Sequence, residues 1–582
     1  MNKILVANRG EIAIRVMRTA REMGIATVAV YSEADRNALH VDMADEAYLL
    51  GPAAPSQSYL NVEKFLDAAQ RSGADGVHPG YGFLAENAAF ARAVVSAGLV
   101  WIGPHADAID AMGDKVRARQ AMIAAGVPVV PGGAEALETA ADARDAAKRF
   151  GLPIAFKASG GGGGKGLKIA KTLDEVRAAF DTARREAEAY FKNGTIYAER
   201  YLENPKHIEL QLLADKHGNV VHVGERDCSL QRRHQKVLEE APATIDPNVR
   251  SALRDAGLRA ARAIAYDSVG TIECLAQNGE FYFLEMNTRI QVEHTVSEMI
   301  AGIDLVREQI RVASGEPLGF TQDEVTFRGH AIEGRVNAEE PARNFRPAPG
   351  TISRYREPAG PGVRVDSAAR AGLIVGADYD SMIAKLVVWA PTRAQALARF
   401  RRAIGEYDIA GVPTTLPLLN ALALHPPVID ASYGTATLES FVSEGFGVPA
   451  ETAHAPAVAN GPPAAEAETI RVEVNDKLFR VRLLDMPNAK RTAPTRRPPR
   501  ISASNVSGGT AGNDIVAPMH GSIVDLLVAQ GDKIAEGQIV AVVEAMKMMN
   551  EIRSHKEGTA TKIHVQKGAT VEANAPLVSI GP

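Results

Sequence analysis

The sequence predicts an α/β multidomain chain that ends in a small all-β domain. Three observations carry this reading. The opening residues alternate strand and helix, a run of glycines joins two apolar strands after Ala158, and residues 521–582 hold an internal repeat of short, glycine-punctuated β runs. With 582 residues the chain has room for roughly three or four domains. A net charge of −5 and a pI near 6.3 give no reason to expect nucleic acid or an anionic membrane as a partner. Two cysteines far apart, Cys228 and Cys274, fit a reducing compartment rather than a disulfide framework. The start MNKILVANRGEIAIRV lacks the charged region and apolar core of a secretory signal, and no apolar run approaches a membrane span. The expectation is a soluble, cytoplasmic protein.

Residues 4–7 read as a buried strand, 11–23 as an amphipathic helix closed by Gly24, and 26–31 as a second strand. The turn Asn8-Arg9-Gly10-Glu11 lacks the G-x-G-x-x-G spacing, so a dinucleotide fingerprint is absent. Residues 78–87, HPGYGFLAEN, form a glycine-punctuated loop with one carboxylate, Glu86. Further on, 154–158 and 167–170 read as strands separated by Ser159 and GGGGGKG. Glycines let backbone N–H groups approach a polyanion and leave a loop free to open and close. A Walker A loop needs glycine where Ser159 stands and Ser or Thr where Gly166 stands, and it leads into a helix. This loop joins strand to strand. It reads as a phosphate-covering flap of the ATP-grasp type, with Gly161, Gly162, Gly163 and Gly164 at the nucleotide.

Residues 196–240 carry a dense polar set: Glu199-Arg200-Tyr201-Leu202, His207, Glu209, Gln211 and the run 225–236. A charge run is usually a solvated face. This one lies between the strand-like IELQLLADKHG and VLEEAP, so part of it is expected to face a cleft. Cys228 has no evident base partner and reads as a packed thiol. Residues 271–275 and 280–285 predict a hairpin about Asn278-Gly279. A two-residue loop would pair Glu273 with Leu284. A three-residue loop centred on Gly279 puts Glu273 opposite Glu285, and is preferred because paired carboxylates there make an oxygen-lined Mg²⁺ site. Asn287, Arg289, Gln291 and Glu293 occupy alternate positions, so an extended strand would aim all four one way. Arg335 is a further strand-borne cation.

Residues 448–467, rich in Ala and Pro, and 487–513, rich in Pro, Arg, Ser and Gly, read as linkers. Between them, 469–484 alternates apolar and polar about Asn475-Asp476, a β-hairpin (within 468–486) too small to be stable alone. A coil of about 27 residues spans roughly 30 Å, so the last domain, 514–582, is expected to be tethered and mobile. Within it Gly521 and Gly558 open two copies of one pattern at an offset of 37 residues, which also carries Gly531 onto Gly568 and Val543 onto Ile580. The copies predict two quasi-identical sheets packed face to face, with Lys547 in the hairpin between them. Met546, Met548 and Met549 give that lysine an apolar collar that surface turns rarely carry, which suggests a mark for a modifying enzyme.

The segment EAMKMMNEI resembles the biotinylation site of a biotin carboxyl carrier domain; lipoyl domains share the two-halved fold but usually carry Asp-Lys-Ala there. Residues 1–447 resemble biotin carboxylase along their length, through NRGEIA, HPGYGFLAEN, MGDK, KASGGGGGKG, ERDCSLQRRHQK and EMNTRIQVEH. The whole is similar to the α subunit of a biotin-dependent acyl-CoA carboxylase. That resemblance implies an ATP-grasp biotin carboxylase: a βαβ domain at 1–114, an ATP-grasp domain at 115–330 with its lid at about 130–204, and an α+β domain at 331–447. A flattened biotinyl/lipoyl-like barrel would follow. It also implies ATP contacts from Lys115, Lys157, His207, Gln231, His234 and Lys236, with Glu199, Arg200, Tyr201 and Leu202 at the adenine. Glu273, Glu285 and Asn287 would hold Mg²⁺ or Mn²⁺. Bicarbonate would lie on Arg289, Gln291 and the Val292 backbone, with Glu293 as its base and Arg335 stabilising a biotin enolate. Lys236 and Arg289 would join Glu293 and Arg335 in catalysis, and Lys547 would carry the biotin.

The implied partners are a biotin protein ligase, a second biotin carboxylase domain and a separate carboxyltransferase β subunit. The hairpin at 468–486 is the expected docking element for β. A keto-acid carboxylase is the alternative for the acceptor. Another ATP-grasp ligase would not need the biotinyl domain, and a non-catalytic carrier would not need the ATP site.

Overall fold

The computed structural model describes residues 1–133, 136–159, 167–191, 193–232, 235–445, 469–474, 477–482, 514–518, 521–545, 548–572 and 574–581. The glycine loop 160–166, His234, both expected linkers and Lys547 lie outside the described residues. The first body is a five-stranded parallel sheet. In it Lys3–Val6 lies between Ala26–Ser32 and Gly76–His78, and the helix Gly10–Glu22 crosses over from the first strand to the second. This is the strand–helix–strand opening read from the sequence. Asn8 pins the loop after His78 by donating to Pro79 O and Tyr81 O at 2.7 and 2.8 Å. Gly80 is required there: its φ is +63°, and a Cβ would meet Asn8 Nδ2 at 2.9 Å.

The expected strands Ile154–Ala158 and Leu167–Ala170 form, and with Ile196–Arg200 they make a three-stranded antiparallel sheet. Helices Ala140–Phe150 and Val176–Phe191 cover it, packing around Phe156 and Phe180. The glycine loop therefore joins two paired neighbours of one small layer, with Ser159 N held by Thr195 O at 3.0 Å.

The largest sheet has eight antiparallel strands in the spatial order Glu280–Asn287, Val269–Gln277, Lys206–Ala214, Val220–Arg232, Gln235–Ala241, His330–Asn337, Met382–Ala390, Val363–Ser367. It runs without a break across the boundary read at residues 330 and 331. All thirteen residues of Val220–Arg232 are buried, so the charge run 225–232 is inside the protein and not on a solvated face.

In the C-terminal domain the two copies of the repeat do form two quasi-identical four-stranded sheets around one core, with an exchange the sequence did not announce. The short strand Lys533–Ile534 of the first copy pairs with Gly558–Ile563 of the second, and Thr570–Val571 of the second pairs with Gly521–Leu526 of the first. The glycines that open the copies are close-approach sites. A Cβ on Gly521 would lie 2.4 Å from Glu544 O, and one on Gly558 would lie 2.4 Å from Gly581 O. Strands Ile539–Ala545 and Met548–Arg553 pair with Ala545 opposite Met548. The small hairpin is present as Thr469–Val474 paired with Lys477–Arg482. Among the described residues no helix is long and apolar enough to cross a membrane.

Candidate active site

Four strands of the large sheet set charged residues side by side. Glu285 stands opposite Glu273, Glu273 opposite Glu209, and Glu209 opposite Arg226. Directly opposite residues share a face. Three neighbouring carboxylates, Glu209 and Glu273 buried and Glu285 partly so, repel one another unless cations intervene. The strand Gln235–Ala241 supplies one: Lys236 Nζ bonds Glu209, lies 3.2 Å from Glu273 and 2.6 Å from Glu293. The fully buried Arg226 supplies another, at 2.9 Å from Glu209 and with further bonds to Gln211, Thr271, Gln291 and Ser297. His207 Nε2 lies 2.9 Å from Glu273, and Lys115, in the first turn of a helix capped by Asp114, lies 3.2 Å from Glu285.

The hairpin turn corrects the expected loop. Asn278 and Gly279 have φ of +54° and +81°, so the loop has two residues, both left-handed, as a type I′ turn requires. Glu273 nevertheless faces Glu285, because the register slips by one between Glu273 and Cys274 and Leu284 is the extra residue of a β-bulge. The bulge changes the phase of the strand. Phe281, Phe283 and Met286 pack in the core, while Leu284 and Glu285 both line the cavity.

A second correction concerns 287–293. The strand ends at Asn287, and no sheet continues to Glu293, which is the residue before the helix His294–Ala301. The reason is where the backbone groups of 288–292 are satisfied. Glu86 accepts from Thr288 N at 3.1 Å and from Arg289 Nε at 2.8 Å, His294 Nδ1 sits 2.7 Å from Gln291 O, and Lys385 donates to Val292 O at 3.0 Å. Side chains have replaced a strand partner. The turn still brings Asn287, Arg289, Gln291 and Glu293 to the same cavity.

That cavity has a volume of about 720 Å³. Lys157, Glu199, Arg200 and Leu202 line it from the lid, and Lys115, His207, Gln231, Lys236, Glu273, Glu285, the turn 287–293 and Arg335 from the large sheet and its surroundings. Lys157 and Glu199 are paired with each other. All described residues of the expected nucleotide, metal and bicarbonate sets therefore meet in one place. Glu293 lines it between Lys236 at 2.6 Å and Arg335 at 2.9 Å. Burial, the largest influence, pushes the Glu293 carboxyl up, and Glu209 adds to it, but Lys236, Arg335 and Arg226 together outweigh them and hold it below the usual carboxylate range. The same contest has the same outcome at Glu209 and Glu273. Glu239, which also accepts from Arg335, is pushed up by burial to about 7. Both thiols are buried and held above their ordinary values, so neither is a poised nucleophile.

Arg226 and Glu239 are not among the residues that the sequence points to, and Glu86 reads there only as a loop carboxylate. The one signal is a charge run bounded by apolar strands, and it does not say which side faces in. The residues present suit a hard cation: Glu273, Glu285 and Asn287 offer oxygens to one cavity, and Glu285 is only partly buried and, among the described residues, ion-paired with Lys115 alone.

A strand–loop–strand lid over a sheet-lined cavity of lysines and carboxylates defines an ATP-grasp enzyme. Known proteins agree. Residues 1–109 match the biotin carboxylase N-terminal domain, 114–321 the carbamoyl-phosphate synthase L chain ATP-binding domain, 333–440 the biotin carboxylase C-terminal domain, and 513–580 the biotin-requiring enzyme family. The chain is 43% identical to a biotin-dependent acyl-coenzyme A carboxylase alpha3 subunit of Mycobacterium leprae, over 99% of this chain and 98% of that one. It is 52% identical to a pyruvate carboxylase subunit of Methanothermobacter thermautotrophicus, over 72% of this chain and 86% of the other. A crystal structure of the 2-oxoglutarate carboxylase biotin carboxylase domain dimer of Hydrogenobacter thermophilus, in complex with MgADP, ADP and bicarbonate, superposes with a TM-score of 0.72. It is 48% identical and covers 75% of this chain and 97% of that one. The chain belongs to the biotin-dependent acyl-CoA carboxylase α subunits, with a biotin carboxylase and a biotin carrier in one polypeptide. It catalyses the biotin carboxylase half-reaction with ATP, Mg²⁺, bicarbonate and biotin.

Proposed function

We propose that this chain carboxylates biotin held on its own Lys547 and passes the carboxyl group to a separate carboxyltransferase β subunit, which transfers it to an acyl-CoA, either acetyl-CoA or propionyl-CoA. The observation that carries the site assignment is Glu293, a buried carboxylate gripped by Lys236 and Arg335 beside the paired Glu273 and Glu285. Bicarbonate is a poor nucleophile until its proton is removed. Glu293 takes that proton, with Arg289, Gln291 and the Val292 backbone holding the anion. The freed oxygen attacks the γ-phosphorus of ATP, and ADP leaves. Lys115, Lys157, Lys236, His207, Gln231 and His234 offset phosphate charge, and the glycine loop excludes water. Glu199, Arg200 and Leu202 form the adenine end. Glu273, Glu285 and Asn287 hold Mg²⁺, which supplies charge neutralisation at the phosphates. Biotin would supply the ureido nitrogen that accepts the carboxyl group as the bond from carboxyl to phosphate breaks, the released phosphate would take the nitrogen's proton, and Arg335 would offset charge on the ureido oxygen.

The acyl-CoA assignment is supported by the full-length likeness to the mycobacterial acyl-CoA carboxylase chain, carrier included, where the likeness to the pyruvate carboxylase relative covers 72% of the chain. A keto-acid acceptor is the second reading, favoured by that relative and by the 2-oxoglutarate carboxylase domain. Cytoplasmic location, modification by a biotin protein ligase, a dimer of biotin carboxylase domains and docking of β on the 468–486 hairpin belong to the same proposal. Two experiments test it. Lys547→Arg is expected to keep bicarbonate-dependent ADP release with free biotin and to lose carboxyl transfer; transfer persisting without added biotin refutes the site. The chain purified with its stoichiometric companion is expected to carboxylate acetyl-CoA or propionyl-CoA, and carboxylation of pyruvate or 2-oxoglutarate instead refutes the acceptor class.

A further inference from the structure

Lys385 is a lysine with no exposed surface, and none of the chemistry above uses it. A buried ammonium persists only where its N–H groups are paired. Lys385 lies in the strand Met382–Ala390, with Asp366 opposite on one neighbouring strand and Arg335 opposite on the other. Its Nζ donates to Val292 O at 3.0 Å, lies 3.2 Å from Glu11 Oε1 and 3.9 Å from Asp366 Oδ2, and stands 5.8 Å from the centre of the Tyr81 ring. Tyr81 OH in turn bonds Glu11. Two further parts of the chain, the first turn of the helix Gly10–Glu22 and the loop after His78, thus meet at the ammonium of Met382–Ala390 that holds this carbonyl.

The carbonyl matters because the next residue is Glu293. The Val292 carbonyl and the Glu293 N–H belong to one peptide plane. Fixing that plane fixes the direction in which the Glu293 side chain leaves the turn. Glu293 also has no strand neighbours to hold it, since the sheet ended at Asn287. We infer that Lys385, supported by Glu11 and Tyr81, is a positioning residue that aims the Val292–Glu293 turn at bicarbonate and links that aim to the docking of the first and last biotin carboxylase domains. The inference rests on the reading of Glu293 as the base.

The test uses the full chain in two variants, with bicarbonate-dependent ATP cleavage and thermal unfolding as readouts. Lys385→Met keeps the length of the side chain but leaves Glu11 charged and Val292 O unpaired. Lys385→Met/Glu11→Gln removes the stranded charge as well, so it restores stability without restoring the bond to Val292 O. The expected result is a bicarbonate KM raised ~10-fold or more in both variants, the scale of one hydrogen bond to a charged group, with the ATP KM within about 2-fold of wild type. The melting temperature should fall in the single variant and recover in the double. A bicarbonate KM that recovers together with the melting temperature overturns the inference, and so do ATP and bicarbonate KM values that rise in parallel. Glu293→Gln separates the two layers. If Glu293→Gln cleaves ATP at the wild-type rate, the reading of the base fails. If it is inactive while both Lys385 variants keep the wild-type bicarbonate KM, only the positioning role fails.

Discussion

Replacing Lys236 with methionine should invert the pH dependence of stability. In the wild type this ammonium touches Glu209, Glu273 and Glu293, all buried, and it is the main reason that each titrates below its ordinary value of 4.5 despite burial. A carboxylate with a lowered native value contributes stability that is present above the unfolded value and is lost as pH falls through the native one. Wild-type stability from these groups is therefore complete above about pH 5 and declines on acidification. Lys236→Met removes the shared partner, leaving burial and mutual repulsion to act against Arg226, Arg335, Arg289 and His207. The carboxyls then rise above their unfolded values, and the sign reverses: the variant is penalised as pH climbs and relieved as pH falls. Stranding a buried charge costs about 3–5 kcal/mol, which for a cooperative unit of about 450 residues corresponds to a melting-temperature deficit of roughly 3–5 °C. The assay is thermal unfolding of both proteins from pH 5 to pH 8 at one scan rate. The deficit should be smallest at pH 5 and largest at pH 8. A deficit of constant size across that range refutes the account of three carboxylates held down by one lysine.

Glu293→Gln should lower bicarbonate-dependent ATP cleavage by ~10²-fold or more, the usual scale for a general base, with nucleotide binding by equilibrium titration unchanged. Glu239 is pushed up to about 7 by burial, so its contribution falls as pH rises from the unfolded value of 4.5 through 7. Glu239→Gln should accordingly gain melting temperature relative to wild type between pH 5 and pH 8, and a gain absent at pH 8 counts against it. Deleting Leu284 should turn the bulged hairpin into a continuous ladder that still pairs Glu273 with Glu285. Mg²⁺-dependent ATP cleavage should survive with a raised ATP KM, and loss of the Mg²⁺ dependence refutes the register argument.

Much of this was legible wherever a local pattern dictated the answer. The βαβ opening, the two strands flanking the glycine loop, the place of the hairpin about Asn278-Gly279 (though not its loop length) and the 37-residue repeat rest on apolar periodicity and on glycine, which act within a few residues. What could not be read depends on which strands become neighbours. Arg226 reads as one charge in a run of which part is expected to face a cleft, and it is the buried counter-ion because Lys206–Ala214 pairs alongside and sets Glu209 opposite it. The turn at 288–293 reads as a strand because its polar residues alternate, and it is not one because Glu86, His294 and Lys385 take up its backbone groups from elsewhere in the chain. The bulge had a faint signal: Phe281 and Phe283 keep one phase and Met286 the other. One extra residue in FYFLEM moves Glu285 from the core to the cavity.

A carboxylate held low by cations is ionised but weak as a base, which sits badly at first with the role given to Glu293. The resolution lies in the identity of the cations. Lys236 and Arg335, which depress Glu293, are the same groups assigned to phosphate and to the ureido oxygen, and Arg289 beside them is assigned to bicarbonate. A lysine has three N–H donors and an arginine five, so anionic ligands compete with Glu293 for them. Each cation drawn toward a ligand relaxes its hold, and burial, the largest influence on this carboxyl, then raises its proton affinity. On the reading of Glu293 as the base, its proton affinity would rise only when the substrates are in place. The acid limb of kcat/KM for bicarbonate, measured at saturating MgATP, should lie at higher pH than the titration of Glu293 in the ligand-free enzyme followed by NMR. Coincidence of the two would mean that the cations do not move, and Glu293 would then have to act at the low affinity that Lys236 imposes.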